Sequence, residues 1–214
     1  MEKVNYDLKL TEIIKKNEDN HQVPTLLLHT CCAPCSSAVL LRLANHFKIT
    51  VFYYNPNISP KEEYEKRKKE QIKFLKEFKP VNEISFLDCD YEEEKFNEMA
   101  KGLETEIEGG ARCFKCYRLR LEKTALIAQQ NHFDYFGTSL TVSPYKNASK
   151  INEIGEDLEN KYNVNFLFSD FKKNDGYKKS ILMSKEYNLY RQNYCGCIYS
   201  KQQREAYLKT KLEN

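Results

Sequence analysis

Residues 24–37, PTLLLHTCCAPCSS, carry the pattern from which the fold class is predicted. Its first part, residues 24–30, is an apolar run, which is typical of a strand buried on both faces of a parallel sheet. The run ends at a group of cysteines that begins with Cys31, and residues 36–46 then carry apolar side chains at helical spacing. The stretch therefore predicts a strand, a cysteine-bearing turn and a helix, as in the first unit of an α/β sheet.

The rest of the chain continues this alternation of strand and helix. Ser59 is followed by Pro60 and, three residues on, by Glu62, which predicts a capping box at the start of a helix. The further strands are expected at 49–54, 83–88, 134–140 and 165–169, and the further helices at about 60–78, 111–132, 149–162, 179–188 and 198–211. Five strands that alternate with helices predict an open parallel sheet with helices on both faces and a helical C-terminal extension.

The composition is typical of a globular protein. Hydrophobic residues make up 41% of the chain and the net charge is only +3, so a core can form. No run of about 18 uncharged apolar residues predicts a transmembrane helix. Residues 1–20 have neither a continuous apolar segment nor a small-residue cleavage site, so they do not resemble a secretory signal. We therefore expect a cytoplasmic protein without a membrane partner.

The cysteines carry the functional signal. Eight occur in 214 residues, too few for a disulfide scaffold, and clustered thiols in a reducing compartment indicate metal binding or redox chemistry. Cys89 stands apart and is expected to be a small buried residue near a strand end. The other seven form three groups: Cys31, Cys32 and Cys35; Cys113 and Cys116; Cys195 and Cys197.

Four of these thiols suit a metal centre. Cys113 and Cys116 stand three apart at a predicted helix N-terminus, and with Cys31 and Cys32 they provide four soft ligands for Zn²⁺ or an iron–sulfur cluster. Adjacent residues are expected to project in different directions, so Cys31 and Cys32 fit a polymetallic cluster or two neighbouring metals better than one closed ion. Cys35 is either a ligand of a second iron or a small residue that opens the helix.

Three further features bear on the kind of site that the cysteines form: the Cys-Gly-Cys pair, the absence of a glycine-rich loop, and His29. Cys195-Gly196-Cys197 can close into a strained disulfide, and strained disulfides are easily reduced. No glycine lies between Pro24 and Ser59, so a glycine-rich phosphate loop after the first strand is poorly supported. His29 is expected to be a core residue rather than a partner of a metal.

Two basic segments adjoin the cysteine groups. Residues 112–123 and 172–191 each hold an excess of lysine and arginine. Charge runs usually form solvated surfaces, but here they predict a basic rim around a reactive centre, suited to a polyanion. Tyr145, Tyr194 and Tyr199 are candidates to stack on unpaired bases, and equally candidates for packing.

Four segments carry a family resemblance: residues 29–37 (HTCCAPCSS), 112–121 (RCFKCYRLRL), 138–147 (TSLTVSPYKN) and 170–200. They contain all three cysteine groups in the family's order, and from about residue 24 the sequence resembles the QueH-type epoxyqueuosine reductases. Tyr145 departs from the pattern, since histidine is expected there in many relatives. Residues 1–20 look like an N-terminal extension outside the family core, which leaves a single α/β catalytic domain over residues 21–214.

The resemblance implies an activity, a fold and residue roles. The activity is the reduction of epoxyqueuosine to queuosine at the wobble position of tRNA, the last step of queuosine biosynthesis, without cobalamin. The fold is Rossmann-like and similar to that of adenine-nucleotide α-hydrolases. Cys195 and Cys197 are implied to form the redox-active pair, and the implied partners are the tRNA anticodon loop and an electron donor. The implied ligands of a [4Fe-4S] cluster are Cys31, Cys32, Cys113 and Cys116.

Two other functions fit parts of the sequence. A zinc-stabilised RNA-binding module would use the same thiols and basic segments, and stoichiometric zinc with no nucleoside conversion would identify it. An ATP-dependent enzyme of the related hydrolase fold, modifying tRNA with sulfur, would consume ATP. The missing glycine-rich loop counts against this second alternative.

Overall fold

A parallel sheet of five strands lies at the centre of the fold of a computed structural model, which describes residues 4–212. The strands are β1 (Thr25–His29), β2 (Lys48–Tyr53), β3 (Ile84–Asp88), β4 (Tyr135–Thr138) and β5 (Asn165–Phe166). The helices are α1 (Tyr6–Asp19), α2 (Ala33–Leu43), α3 (Lys61–Glu77), α4 (Glu93–Ala100), α5 (Ala111–Gln130), α6 (Ala148–Tyr162), α7 (Gly176–Glu186) and α8 (Ile198–Leu212). A short 3-10 helix, Ser139–Val142, follows β4.

The strand order places a ligand crevice beside β1. This strand pairs in parallel with both β2 and β4, and the full order is β3-β2-β1-β4-β5. Successive strands run outward from β1 as far as β3, and the chain then returns to β4 on the other side. The carboxyl ends of β1 and β4 therefore form the switch point at which open α/β sheets bind ligands. The predicted class, a parallel α/β sheet with a C-terminal helix, is confirmed.

The side chains of β1 enter both layers that cover the sheet. Leu26 and Leu28 are fully buried on one face, in a cluster with Val39 and Leu40 of α2. Leu27 is fully buried on the other face, in a cluster with residues of α5 and α6. Helical layers on both faces explain why this strand is apolar throughout instead of alternating with polar residues.

Helix α3 begins differently from the prediction. Its N-cap is Pro60 and no side chain caps it, so the predicted capping box at Ser59 is wrong. In a capping box the Glu62 side chain would accept a hydrogen bond from the Ser59 amide. That amide instead donates to the Gly196 carbonyl at 3.0 Å. A tertiary hydrogen bond has therefore replaced the local one.

Three further elements differ from the sequence pattern. Helices α1 and α4 lie where no helix was predicted. Strand β5 covers two residues rather than 165–169, because the Ser169 amide leaves the sheet and donates to Asn152 Oδ1 at 2.9 Å. None of the helices within residues 4–212 combines the length and the apolar character needed to cross a membrane.

Helix α1 packs against the rest of the chain. Its Leu10 is fully buried in the core cluster that contains the α2 side chains. Its Asp7 pairs with Arg42 at 2.6 Å and accepts a hydrogen bond from Asn174 at 2.9 Å. Residues 1–3 of the expected N-terminal extension lie outside the described residues. The described part of that segment thus joins the core that covers the sheet.

Candidate metal and redox site

A cavity of about 400 Å³ opens at the switch point of the sheet. Cys31 and Cys35 reach its wall from the segment after β1, and Tyr145 and Lys146 from the segment after β4. Helix α7, residues 191–195 and helix α8 complete the wall, and Cys195 belongs to this part. The fold therefore brings thiols of the first and third cysteine groups to one cavity.

Cys31, Cys32 and Cys35 form a compact thiol group at the start of α2. Their sulfur atoms all lie within 4.8 Å of one another, and the sulfurs of Cys31 and Cys32 are 3.8 Å apart. Cys32 is the N-cap of α2 with extended backbone, and Pro34 lies in the first turn. Tetrahedral ligands with bonds of about 2.3 Å stand roughly 3.8 Å apart, so this group has the spacing of a metal site. The expectation that the adjacent thiols diverge is wrong, because the turn of the chain into α2 aims both to the same side.

The three thiols influence one another's protonation. Hydrogen bonds from Cys31 and Cys35 hold the pKa of Cys32 well below its usual value. Hydrogen bonds with Cys31 and Cys32, together with burial, raise the pKa of Cys35 well above its usual value. Cys32 is therefore the thiol of the group that ionises most readily. A buried, partly ionised thiol group of this kind is a good ligand set for a soft metal.

Cys113, Cys116 and Cys197 lie behind the cavity. Cys113 and Cys116 are in the first two turns of α5, and the Cys113 sulfur accepts the Gly109 amide at 3.2 Å. Burial raises the pKa of Cys116 to about 12 and raises the pKa of Cys197 as well. Cys195 raises the pKa of Cys116 and that of Cys197 further. The second cysteine group, Cys113 and Cys116, is therefore close in space to the third, Cys195 and Cys197.

The four predicted ligands do not all meet at the spacing of a single ion, although Cys113 packs against the buried cluster that contains Cys31 and Cys32. Within residues 4–212, the thiols that meet at single-ion spacing are those of Cys31, Cys32 and Cys35. Cys113 and Cys116 do not join them at that spacing. A cubane cluster binds its four thiolates through four different irons, so its ligands stand wider apart than those of one ion. The ligand set Cys31, Cys32, Cys113 and Cys116 therefore stays a prediction.

Four cations are buried around the thiols. Arg112 and Arg120 are each 1% exposed, so these two members of the predicted basic rim are interior residues, not a surface for a polyanion. Arg120 Nε donates to the backbone carbonyl of Cys116 at 3.2 Å, one turn earlier in α5. Several buried N–H groups find no acceptor among the described residues: Arg67 Nη2, Arg112 Nε, Arg112 Nη2 and Arg120 Nη2. Because unpaired buried charge is unfavourable, these groups fit an anionic thiolate–metal centre.

Lys146 is the fourth of these cations and belongs to the cavity wall. It is 8% exposed, and its ammonium has no hydrogen bond or ion pair within the described part of the chain. Burial alone would lower its pKa, but the nearby thiols of Cys195, Cys31 and Cys35 outweigh burial and raise the pKa above its ordinary value. Lys146 is therefore a charged group that faces the cavity.

The Cys195-Gly196-Cys197 loop is held by residues distant in sequence. Arg67 Nη1 donates to the Cys195 carbonyl at 3.0 Å, and the Ser59 amide donates to the Gly196 carbonyl at 3.0 Å. Gly196 has φ +139°, a backbone conformation that other residues rarely adopt, and an added Cβ would lie 3.0 Å from the Ile58 side chain, so a substitution there would be strained. The loop thus keeps Cys195 in the cavity wall and Cys197 buried.

His29 is a satisfied core residue, as predicted. It is fully buried, and burial lowers its pKa to about 3, so the ring is neutral. Its Nε2 lies 3.1 Å from the Tyr54 carbonyl, which requires the proton on Nε2. Nδ1 then accepts a hydrogen bond from Thr138 Oγ1 at 3.0 Å.

Cys89 belongs to none of the three cysteine groups. It follows β3, as predicted, but it is half-buried rather than fully buried.

The three candidate stacking tyrosines differ in their surroundings. The Tyr194 ring lies under Arg67 at 5.1 Å, and the Tyr199 ring lies under Arg112 at 4.5 Å. Both therefore pack on buried arginines. Tyr145 is 73% exposed and lines the cavity. Of the three, Tyr145 alone has a ring that is mostly open to solvent.

Lys146 and Arg67 are parts of the site that the sequence did not indicate, and Arg120 was predicted as part of a surface rim rather than as an interior residue. In the sequence they are ordinary charged residues, and charged residues are mostly exposed. Lys146 and Arg120 lie in segments that carry the family resemblance, and this was the available signal. Arg67 lies in a helix rich in charge, so nothing local distinguishes it.

Known proteins match most of the chain. The family model described as "Epoxyqueuosine reductase QueH" matches residues 26–203. A protein of this name from Staphylococcus epidermidis is 47% identical over 203 residues, which cover 93% of this chain and 85% of the relative. Its counterpart from Streptococcus pyogenes is 44% identical over 93% of this chain and 79% of the relative. The counterpart from Staphylococcus aureus is 43% identical over 98% of this chain and 89% of the relative.

Proposed function

Because the chain belongs to the epoxyqueuosine reductase QueH family, we propose that it reduces epoxyqueuosine to queuosine at the wobble position of tRNA. The observation that supports this function is the cavity at the switch point, which contains thiols from two distant parts of the chain, Cys31 and Cys195. A group of thiols that can hold a metal, and Cys195 of a second pair of thiols, thus adjoin one ligand pocket.

The reaction converts an epoxide into an alkene and water. Two carbon–oxygen bonds break, a carbon–carbon double bond forms, and the oxygen leaves with two protons after the uptake of two electrons. Oxidation of the Cys195 and Cys197 thiols to a disulfide releases two electrons and two protons, which balances one turnover. An electron donor then reduces the disulfide before the next turnover.

Cys31, Cys32 and Cys35 are able to hold a metal. In this proposal the metal centre is a [4Fe-4S] cluster, and Cys35 is a candidate ligand of a second iron. The unpaired guanidinium groups of Arg112 and Arg120 support an anionic centre, because they need a negative partner. When bound, the cluster supplies the transfer of single electrons. The proposed ligands of the cluster are Cys31, Cys32, Cys113 and Cys116.

The tRNA has to deliver its modified base into the cavity from the protein surface. Tyr145 at the cavity offers an exposed ring on which a neighbouring unpaired base can stack. Helix α7, which lies in the basic segment 172–191, forms part of the cavity wall. Its exposed lysines, and one that precedes it, suit the phosphates of the anticodon loop: Lys173, Lys178, Lys179 and Lys185.

Anaerobic purification followed by an activity assay tests this function. We expect iron and sulfide at about four of each per chain, as one cubane requires. Incubation with a chemical reductant and tRNA that carries epoxyqueuosine should give queuosine, detected by mass spectrometry of the nucleosides. Folded, active protein without iron would contradict the cluster, and iron-loaded protein that forms no queuosine would contradict the activity.

A zinc-stabilised RNA-binding protein is the second candidate function. The 3.8 Å separation of the Cys31 and Cys32 sulfurs favours it, because this is the ligand spacing around a single zinc ion. Metal analysis separates the two functions. One zinc per chain, with tRNA binding and no conversion of the nucleoside, would establish the zinc protein instead of the reductase.

A further inference from the structure

Lys146 is held in place by the turns on either side of it. Its own amide donates to the Ser143 carbonyl at 3.2 Å. The next residue, Asn147, is the N-cap of α6, and its side chain accepts the Lys150 amide at 3.0 Å. The backbone of Lys146 is thus fixed between the end of β4 and the start of α6, and its side chain lines the cavity.

Lys146 is 8% exposed, and its ammonium has no hydrogen bond or ion pair among the described residues. Its Nζ is not one of the fully buried nitrogens that lack an acceptor, so it keeps contact with the solvent of the cavity. A ligand that displaces this solvent can accept a hydrogen bond from the ammonium through an oxygen or a negatively charged atom.

The other cations of the cavity wall are more exposed than Lys146. Arg191 is exposed and donates to the Ser180 carbonyl at 3.1 Å and to Ser184 Oγ at 3.0 Å. Arg204 is half-buried and lies over the Tyr207 ring at 5.3 Å, and its Nε finds no acceptor among the described residues. Lys146 is therefore the buried cation of the wall, and its side chain lines the cavity.

We propose that the Lys146 ammonium donates a hydrogen bond to the epoxide oxygen of the substrate and stabilises the negative charge that develops on this oxygen as the ring opens. This role rests on the proposed function of the cavity. Both carbon–oxygen bonds break and the oxygen leaves as water, while two thiols become a disulfide and supply two electrons and two protons. Lys146 stays an ammonium throughout, so it alters the barrier and not the balance of the reaction.

Its position relative to the thiols suits this role. Cys31, Cys35 and Cys195 line the same cavity as Lys146. An oxygen bound to this ammonium inside the cavity would share the cavity with thiols of the first and third cysteine groups, so bond cleavage would take place near the proposed electron carriers.

Substitution of Lys146 tests the proposal. Lys146→Met removes the charge at similar volume, Lys146→Arg keeps it, and Lys73→Met removes an exposed lysine of α3 as a control. We expect the Met variant to lose about 100-fold in kcat, the magnitude found when one donor to a developing oxyanion is removed, with KM for tRNA changed less than about threefold. The kcat of the Arg variant should be at least about tenfold higher than that of the Met variant. The kcat of the Lys73 variant should equal that of the unchanged protein.

Metal content and the visible absorption spectrum are measured on each variant as a readout that does not depend on activity. We expect both to be unchanged in Lys146→Met. A kcat within about threefold of the unchanged protein, a loss confined to KM, or loss of the metal from the Met variant would each overturn the proposal. If the Met variant does not fold, Lys146→Gln replaces it with the same expected loss of kcat. Failure of the unchanged protein to form queuosine would instead overturn the proposed function.

Discussion

Arg67 connects helix α3 to residues 194–195 through one buried guanidinium. Its Nε donates to Glu63 at 2.7 Å in the same helix, and its Nη1 donates to the Cys195 carbonyl at 3.0 Å. Tyr194 packs against its face at 5.1 Å. This single buried side chain thus holds the loop that carries Cys195, since it satisfies a carbonyl group of that loop.

Serine substitutions separate metal ligands from the redox pair. We expect Cys113→Ser to lose iron, because a neutral hydroxyl is a poor replacement for a thiolate ligand. Cys195→Ser and Cys197→Ser should keep the iron and lose turnover, because neither can form the disulfide. Iron analysis and single-turnover assays measure these effects. Loss of iron from the Cys195 variant would show that the two roles are assigned wrongly, and Cys89→Ser serves as the control outside both groups.

His29 gives the protein a pH dependence of known sign. Burial holds its pKa at about 3, against about 6.5 in an unfolded chain, so between these values the unfolded chain binds a proton that the folded chain does not. The free energy of unfolding should therefore fall as the pH falls from 6.5 toward 3. The contribution of this residue is at most about 1.4 kcal/mol per pH unit.

Urea denaturation at about pH 7 and about pH 5 measures this contribution, because the two conditions lie above and below the pKa of histidine in an unfolded chain. His29→Gln removes the titrating group and keeps a hydrogen-bonding side chain. The variant should lose less stability between the two conditions than the unchanged protein does. Equal losses in the two proteins would show that His29 is not held neutral by burial.

The elements differ in how far the sequence predicts them. Strand β1 was predicted because a strand covered on both faces has to be apolar throughout, as its leucines are. The start of α3 was predicted wrongly because the Ser59 amide bonds to Gly196, more than a hundred residues away. No local pattern contains that partner. Local propensity therefore predicts elements well where burial is continuous and poorly where a tertiary hydrogen bond competes.

Two leucines of α1 provide a matched test of how this helix contributes. Leu10 is fully buried and Leu8 is 53% exposed in the same helix. Leu10→Ala should lower the free energy of unfolding by about 2–5 kcal/mol, because it leaves a cavity in the core. Leu8→Ala should change it by less than about 0.5 kcal/mol. Chemical denaturation measures both, and equal effects would contradict the docking of α1 on the core.

At the scale of the whole molecule, the strand order creates the site. The segments after β1 and β4 meet because these strands are neighbours, although about a hundred residues separate them. The cysteine groups could be predicted as functional from their clustering alone. Lys146 and Arg120 could not, because a charged residue becomes an interior one only through the packing of distant helices. The sequence therefore predicts the reactive atoms of the site and not the charges around them.

Binding of tRNA should depend on the exposed lysines of α7. Lys178 and Lys185 lie two turns apart on this helix and are exposed. We expect the double substitution Lys178→Ser and Lys185→Ser to weaken tRNA binding and to make it less sensitive to salt, by about 0.7–0.9 in the log–log slope for each lost phosphate contact. Binding isotherms at several salt concentrations measure this. An unchanged slope, equal to that of Lys15→Ser on α1, would place the tRNA elsewhere.

Anomalous diffraction at the iron edge, from crystals of anaerobically prepared protein, shows directly whether the cavity holds a metal that can serve the reduction. Strong iron peaks are expected within bonding distance, about 2.3 Å, of the Cys31 and Cys32 sulfurs, beside the cavity that Lys146 and Cys195 line. A single zinc at this place, or iron bound away from these two sulfurs, would show that the cavity is not the site of a metal-dependent reduction.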